Sequence, residues 1–139
     1  MNTLFSHVCV VTMDARMSVW TDAFVGVTDG KISYLRKHAP AEKPAQILDA
    51  TGMVLMPGLI NCHTHLPMQL LRGYADDLKL QEWLNDYIFP REDRLDGRCV
   101  RAATTLAVAE CLKFGVTSVS DMYYFCDDIC DVIAKSGMK

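Results

Sequence analysis

The stretch "PGLINCHTHLPMQLLRGYADDL", Pro57–Leu78, decides how the chain is read. An apolar run leads into Asn61, and two of the chain's 4 histidines, His63 and His65, follow with one residue between them. Alternate side chains of an extended strand share a face, so His63 and His65 are expected to project the same way. Their imidazoles can then meet one cation at Zn–N distances of about 2.0–2.1 Å. Just past the carboxyl end of a strand, such a pair opens into the mouth of a barrel or the crevice of a sheet, where α/β enzymes keep their sites. An H-x-H pair alone is a weak signal, because surface and core histidines are common. Cys62 falls on the opposite face by the same alternation and is not expected to be a ligand. His7 and His38 have no partner nearby in sequence and read as structural or solvated.

Upstream, residues 1–55 read as a small β module. "SHVCVVT" and "AFVGV" are rich in β-branched and aromatic residues, and "DGKISYL" follows a turn. Asp29-Gly30 between two such runs is a hairpin signal, since Gly tolerates the positive φ of a tight primed turn. "KHAPAEKPAQ" is a loop, and "QILDATGMVLMPG" is two brief strands around a Thr-Gly turn.

Downstream, residues 56–139 run strand, helices, strand, helix. Leu80, Trp83, Leu84, Tyr87 and Ile88 recur at helical spacing, and Pro90 is expected to stop or bend that helix. Asp96 is a fair N-cap for "GRCVRAATTLAVAECLKF", whose apolar face is Val100, Ala103, Ala107, Val108, Cys111 and Leu112, with Gly115 at the C-terminal cap. "VTSVSDM" is a strand, and "DDICDVIAKSG" a helix closed by Gly137. This order begins an α/β series with a parallel sheet, and "SGMK" falls where a further strand should start.

Composition narrows the class. The chain has 139 residues, 50% hydrophobic and 22% charged, an ordinary globular profile. A formal charge of −3 offers no basic field for nucleic acid or an anionic membrane. The apolar runs are short and interrupted, and the first residues lack the pattern of a secretory signal, so a cytoplasmic protein is expected. None of the 6 cysteines forms a C-x-x-C pair, and buried thiols in a reducing compartment are the expected state. Cys126 and Cys130, four apart, could share a helix face, but no second pair completes a metal site.

"MPGLINCHTH" resembles the first-strand signature of the amidohydrolase superfamily. With "PRE" at 90–92 and "GVTSVSDMYYF" at 115–125, "PGLINCHTHLPMQLLRGYADDLKLQEWL" is similar to the 5-methylthioadenosine/S-adenosylhomocysteine deaminase branch. Chlorohydrolases and guanine deaminases lie close by and stay open as alternatives. The resemblance implies the start of a TIM (β/α)8 barrel preceded by a small β-sandwich module, with residues 1–55 in the module and 56–139 in the barrel. It implies one divalent metal, Zn2+, held by His63 and His65, and a small-molecule nucleoside or heteroaromatic substrate. Homo-oligomers are common in such families. Glu92 matches the carboxylate that contacts the ribose hydroxyls, and a carboxylate that accepts two hydroxyl hydrogen bonds reads a cis-diol well. The plainer reading of Glu92 is a solvated charge within "REDR".

Other residues stay closer to structure. Trp83 reads as core packing, although it could line a nucleobase pocket. Asp76 and Asp77 are expected to cap the helix that follows them. Asp121, at the carboxyl end of the second strand, could reach the site or hold a loop. The family completes its site with histidines from the fifth and sixth strands and an aspartate from the eighth. A closed barrel takes about 200 residues or more, so the chain is expected to be truncated relative to the barrel and inactive alone. The cytidine-type zinc deaminases carry H-x-E with a later P-C-x-x-C; neither pattern occurs here.

Overall fold

The computed structural model describes residues 1–139 and divides into two compact units, Met1–Pro57 and Gly58–Lys139. In the first unit, β1 (Thr3–Val11), β2 (Val19–Thr28), β3 (Lys31–Arg36), β4 (Gln46–Asp49) and β5 (Val54–Leu55) form one sheet. The order is β3-β2-β1-β4, with β5 also on β1. β2 and β3 are joined at Asp29-Gly30, where φ is 50° and 74°, as a primed two-residue turn requires.

Within residues 1–57 these strands form one mixed sheet. β4 pairs parallel with Thr3–Ser6 and β5 with Cys9 and Val10, so the Thr51-Gly52 turn only moves the chain along the same edge of β1. Val8, Val10, Ala23, Val25 and Ala50 are buried on this sheet with Phe5, Trp20, Leu35 and Leu55 against them. The register of β1 slips between Phe5 and Val8, where His7 has φ of 57°, and the His7 ring is exposed beside Asp22 at 3.0 Å.

In the second unit, β6 (Leu59–Thr64) and β7 (Val116–Asp121) form a parallel pair. Close approach explains Gly58: a Cβ there would overlap the Thr117 side chain. A 3-10 helix (Leu66–Leu71) follows β6 and packs against α3 (Gly97–Lys113). Gln69 and Arg72 from this turn both donate to the Glu110 carboxylate on α3. α4 (Cys126–Ser136) packs on α3, where Arg101 pairs with Asp128 and Asp131. Leu66, Val100, Ala107, Val108, Ile129 and Met138 make the core. Asp96 caps α3 as expected, accepting the Cys99 N–H at 2.7 Å. The backbone of Lys139 lies in ladder contact with β7, donating to Thr117 O and accepting from Val119 N.

Several expectations are revised. Pro90 does not stop the helix that carries Trp83. α1 (Leu80–Glu82) runs into a π-helical segment, Trp83–Ile88, and then into α2 (Phe89–Glu92), which contains Pro90. Phe89 N–H reaches back five residues to Leu84 O. Proline lacks an N–H and crowds the carbonyl four residues earlier, so widening the ladder immediately upstream accommodates it within the helix. Asp76 and Asp77 do not cap: Lys79 is the N-cap of α1, and no side chain bonds there. Leu112 is exposed, because the buried stripe of α3 ends at Val108 with Cys111 at its margin. The cysteines are not buried: Cys62, Cys126 and Cys130 are exposed and the other three partly buried, all of them free thiols. No helix is long and apolar enough to cross a membrane.

Candidate functional site

His63 stands at the end of β6 and His65 just past it. Their ring centroids are 5.2 Å apart and the rings are inclined at 80°. An ion bound tetrahedrally at about 2.0–2.1 Å from each nitrogen sets two imidazole centroids about 5 Å apart, so the spacing suits one shared cation. His63 is exposed and His65 partly buried.

The end of β7 holds His65 in place. Its Nδ1 lies 2.6 Å from the carbonyl oxygen of Met122. A carbonyl only accepts, so Nδ1 carries a proton, and Nε2 is the nitrogen left to ligate. This is the second-nitrogen hydrogen bond that metal-bound histidines use. Two further bonds lock the segment: Met122 N–H donates to Thr64 O at 3.2 Å, and Leu66 N–H to Asp121 Oδ1 at 2.9 Å. Asp121 thus holds the loop after β6 rather than the one after its own strand. Its Oδ2 is buried without a partner, and burial pushes the carboxyl above its ordinary range.

An open cavity of about 430 Å³ adjoins His65. Met68, Trp83 and Ile88 supply apolar wall, and Glu92 and Tyr123 supply polar atoms. Trp83 is therefore partly exposed on a cavity wall and not in the core, contrary to the expected core packing. The helix carried past Pro90 is what brings Glu92 here. Glu92 lies in the last turn of α2 and is partly buried, not a solvated surface charge. Its Oε1 accepts the Tyr123 hydroxyl at 2.6 Å. Burial, then the Glu92 carboxylate, raise the Tyr123 phenol well above its usual value, so the proton stays on tyrosine.

Sequence reasoning did not single out Tyr123. Its signal was weak, one aromatic residue among several after Asp121 in "DMYYF". His65 and Glu92 line one cavity, and His63 adjoins His65. Asp76, Asp77, His7 and His38 are not among its lining residues. No group of three His, Cys, Asp or Glu residues gathers to hold a metal, so the donors present amount to two imidazoles.

Residues 54–136 match the model of the amidohydrolase family. The chain belongs to the amidohydrolase family. It is 39% identical over 136 residues to a 5'-deoxyadenosine deaminase of Methanosarcina acetivorans, covering 98% of this chain and 31% of that protein. A 5-methylthioadenosine/S-adenosylhomocysteine deaminase of Pelotomaculum thermopropionicum is 37% identical over 141 residues, covering 99% of this chain and 33% of that one. Among solved structures, an adenosine deaminase from Xanthomonas campestris with bound zinc superposes with a TM-score of 0.89 at 36% identity, over 99% of this chain and 32% of that one. The chain thus spans about a third of the length of these amidohydrolase relatives.

Proposed function

We propose that this chain supplies the first βα units of a (β/α)8 barrel, residues 1–55 belonging to a small β domain and 56–139 to the barrel. The protein containing them would be a hydrolytic deaminase of adenine nucleosides, with 5'-methylthioadenosine and S-adenosylhomocysteine as its substrate class. His63 and His65 would hold a divalent metal, with further ligands from later strands, and the bound zinc of the similar adenosine deaminase supports zinc as that metal. Such a metal, when bound, lowers the pKa of its water towards 7 and makes hydroxide available at neutral pH.

The chain's own residues do the rest. Met122 O keeps a proton of His65 on Nδ1, which leaves Nε2 to ligate. The wall formed by Met68, Trp83 and Ile88 suits a flat heteroaromatic ring and excludes water from one side of it. Glu92 accepts hydrogen bonds from the two ribose hydroxyls and so aligns the base with the metal side of the cavity.

The observation that carries this reading is the shared cavity of His65 and Glu92. A metal-competent imidazole and a carboxylate suited to a cis-diol then face one ligand. A free purine base or a chlorinated triazine has no diol for that carboxylate, which favours a nucleoside. The test is ammonia release by the zinc-loaded, full-length protein. Substrates are 5'-methylthioadenosine, S-adenosylhomocysteine and 5'-deoxyadenosine, set beside guanine and a chlorotriazine. Turnover of the adenine nucleosides well above the other two is expected; failure to deaminate any of the three refutes the proposal.

A further inference from the structure

We infer that Tyr123 is a positioning residue that presets the Glu92 carboxylate for a ribose cis-diol, so that the preference for ribonucleosides depends on this tyrosine. The inference rests on the role proposed for Glu92 and extends it to a residue 31 positions away in sequence.

Glu92 belongs to the last turn of a short helix whose ladder has already been widened, and its side chain has rotatable bonds on the rim of an open cavity. Left alone, such a carboxylate would sample several rotamers, and ordering it would cost entropy when the ligand binds. The Tyr123 hydroxyl removes that freedom. It donates to Oε1 at 2.6 Å, the short length of a hydrogen bond to a charged acceptor. A carboxylate has about four lone-pair sites, so one bond from tyrosine leaves both sites of Oε2 and one of Oε1 for two incoming hydroxyls.

Tyr123 is itself well held. It follows Met122, whose carbonyl accepts from His65 and whose N–H donates to Thr64. Its ring lies 6.2 Å from the His65 ring and packs beside the buried core of the second unit. The short segment after β7 therefore reaches both ends of the proposed ligand, His65 through the backbone of Met122 and Glu92 through the side chain of Tyr123. A shift of either would be felt by the other.

The experiment compares binding of inosine and 2'-deoxyinosine, the deaminated products, to the metal-free full-length protein by calorimetry. It also compares kcat/KM for adenosine and 2'-deoxyadenosine in the zinc enzyme. The proteins are the wild type, Tyr123→Phe, Glu92→Gln and the double variant. Phenylalanine keeps the ring and deletes only the donor, and thermal unfolding verifies that each variant is folded. Tyr123→Phe is expected to narrow the ribose-over-deoxyribose ratio about ten-fold, mainly through affinity. In the Glu92→Gln background the same change should narrow it no further, because the two residues act as one unit. A purely structural role would weaken both ligands equally and leave the ratio where it was, which would overturn the inference. If Glu92→Gln collapses the ratio and Tyr123→Phe does not, Glu92 reads the sugar without its tyrosine and only this inference fails. A wild type without any ribose preference would remove the role of Glu92 and this inference with it.

Discussion

The two units use the same side chain in opposite ways. In the first, the His7 ring nitrogen Nδ1 pairs with the Asp22 carboxylate at 3.0 Å, and His38 meets the Tyr34 hydroxyl at 3.2 Å. Both rings sit on the surface of a sheet whose core is complete without them. In the second, His65 spends Nδ1 on a backbone carbonyl and has His63 alongside. The difference teaches that a histidine becomes a candidate ligand when its second nitrogen is fixed by the backbone and another imidazole shares its exposed face. Residue type carries little of this information.

The comparison can be broken most sharply at the histidines. His63→Ala and His65→Ala should each remove bound zinc and lower deamination by the full-length protein to the background rate. His7→Ala and His38→Ala should retain the wild-type zinc content by elemental analysis. Zinc loss on changing His7 would mean that the division between the units was misread.

Next in size is Glu92→Gln, which should weaken nucleoside binding by about 1.5–3 kcal/mol, the usual worth of hydrogen bonds to a charged group. Calorimetry should find binding of a free base almost unchanged. An equal loss for nucleoside and base would place Glu92 outside the sugar contact.

The two cores offer a smaller contrast. Val8 and Val100 are fully buried, one in each unit, and truncation of either to Ala should cost about 1–2 kcal/mol. Each unit holds one of the chain's two tryptophans, Trp20 and Trp83, so fluorescence of single-tryptophan variants during urea unfolding reports on each separately. Val8→Ala should lower the midpoint seen by Trp20 and Val100→Ala that seen by Trp83. Equal shifts at both probes would show that the two cores unfold as one.

The smallest effect concerns the α3 cap. The Cys99 backbone N–H holds the Asp96 carboxyl below its ordinary range. Its folded-state pKa is depressed, so its contribution to stability is fully present above the unfolded value of about 3.9 and fades as pH falls through the lower folded value. Asp96→Asn keeps a capping oxygen and should flatten that part of the acid unfolding profile. An unchanged profile would remove the cap from the account.

Much of the local structure was legible. The Asp29-Gly30 turn, the Asp96 cap and the alternation of His63 with His65 each depend on residues a few positions apart, where backbone sterics and short hydrogen bonds decide. The failures were of another kind. Of the two outcomes expected at Pro90, a stop or a bend, the stop does not occur, because single-residue preference cannot foresee a π-helical widening six residues long upstream of it. Strand count likewise does not reveal that β4 and β5 share one edge of β1. Trp83 looked like core because an apolar helical stripe has the same pattern whether it faces packed side chains or a cavity.

The sequence by itself determined most of the strands, the long helix with its Asp96 cap, the Asp29-Gly30 turn and the pair of imidazoles at a strand's end, since these follow from φ/ψ preference and side-chain period. Only the tertiary structure decided that Met122 O fixes the proton of His65, that Asp121 ties down the loop after β6, and that Tyr123 reaches Glu92. Those contacts join residues 31 to 57 positions apart. Whether a given pair meets depends on how whole elements pack, and no local preference encodes that.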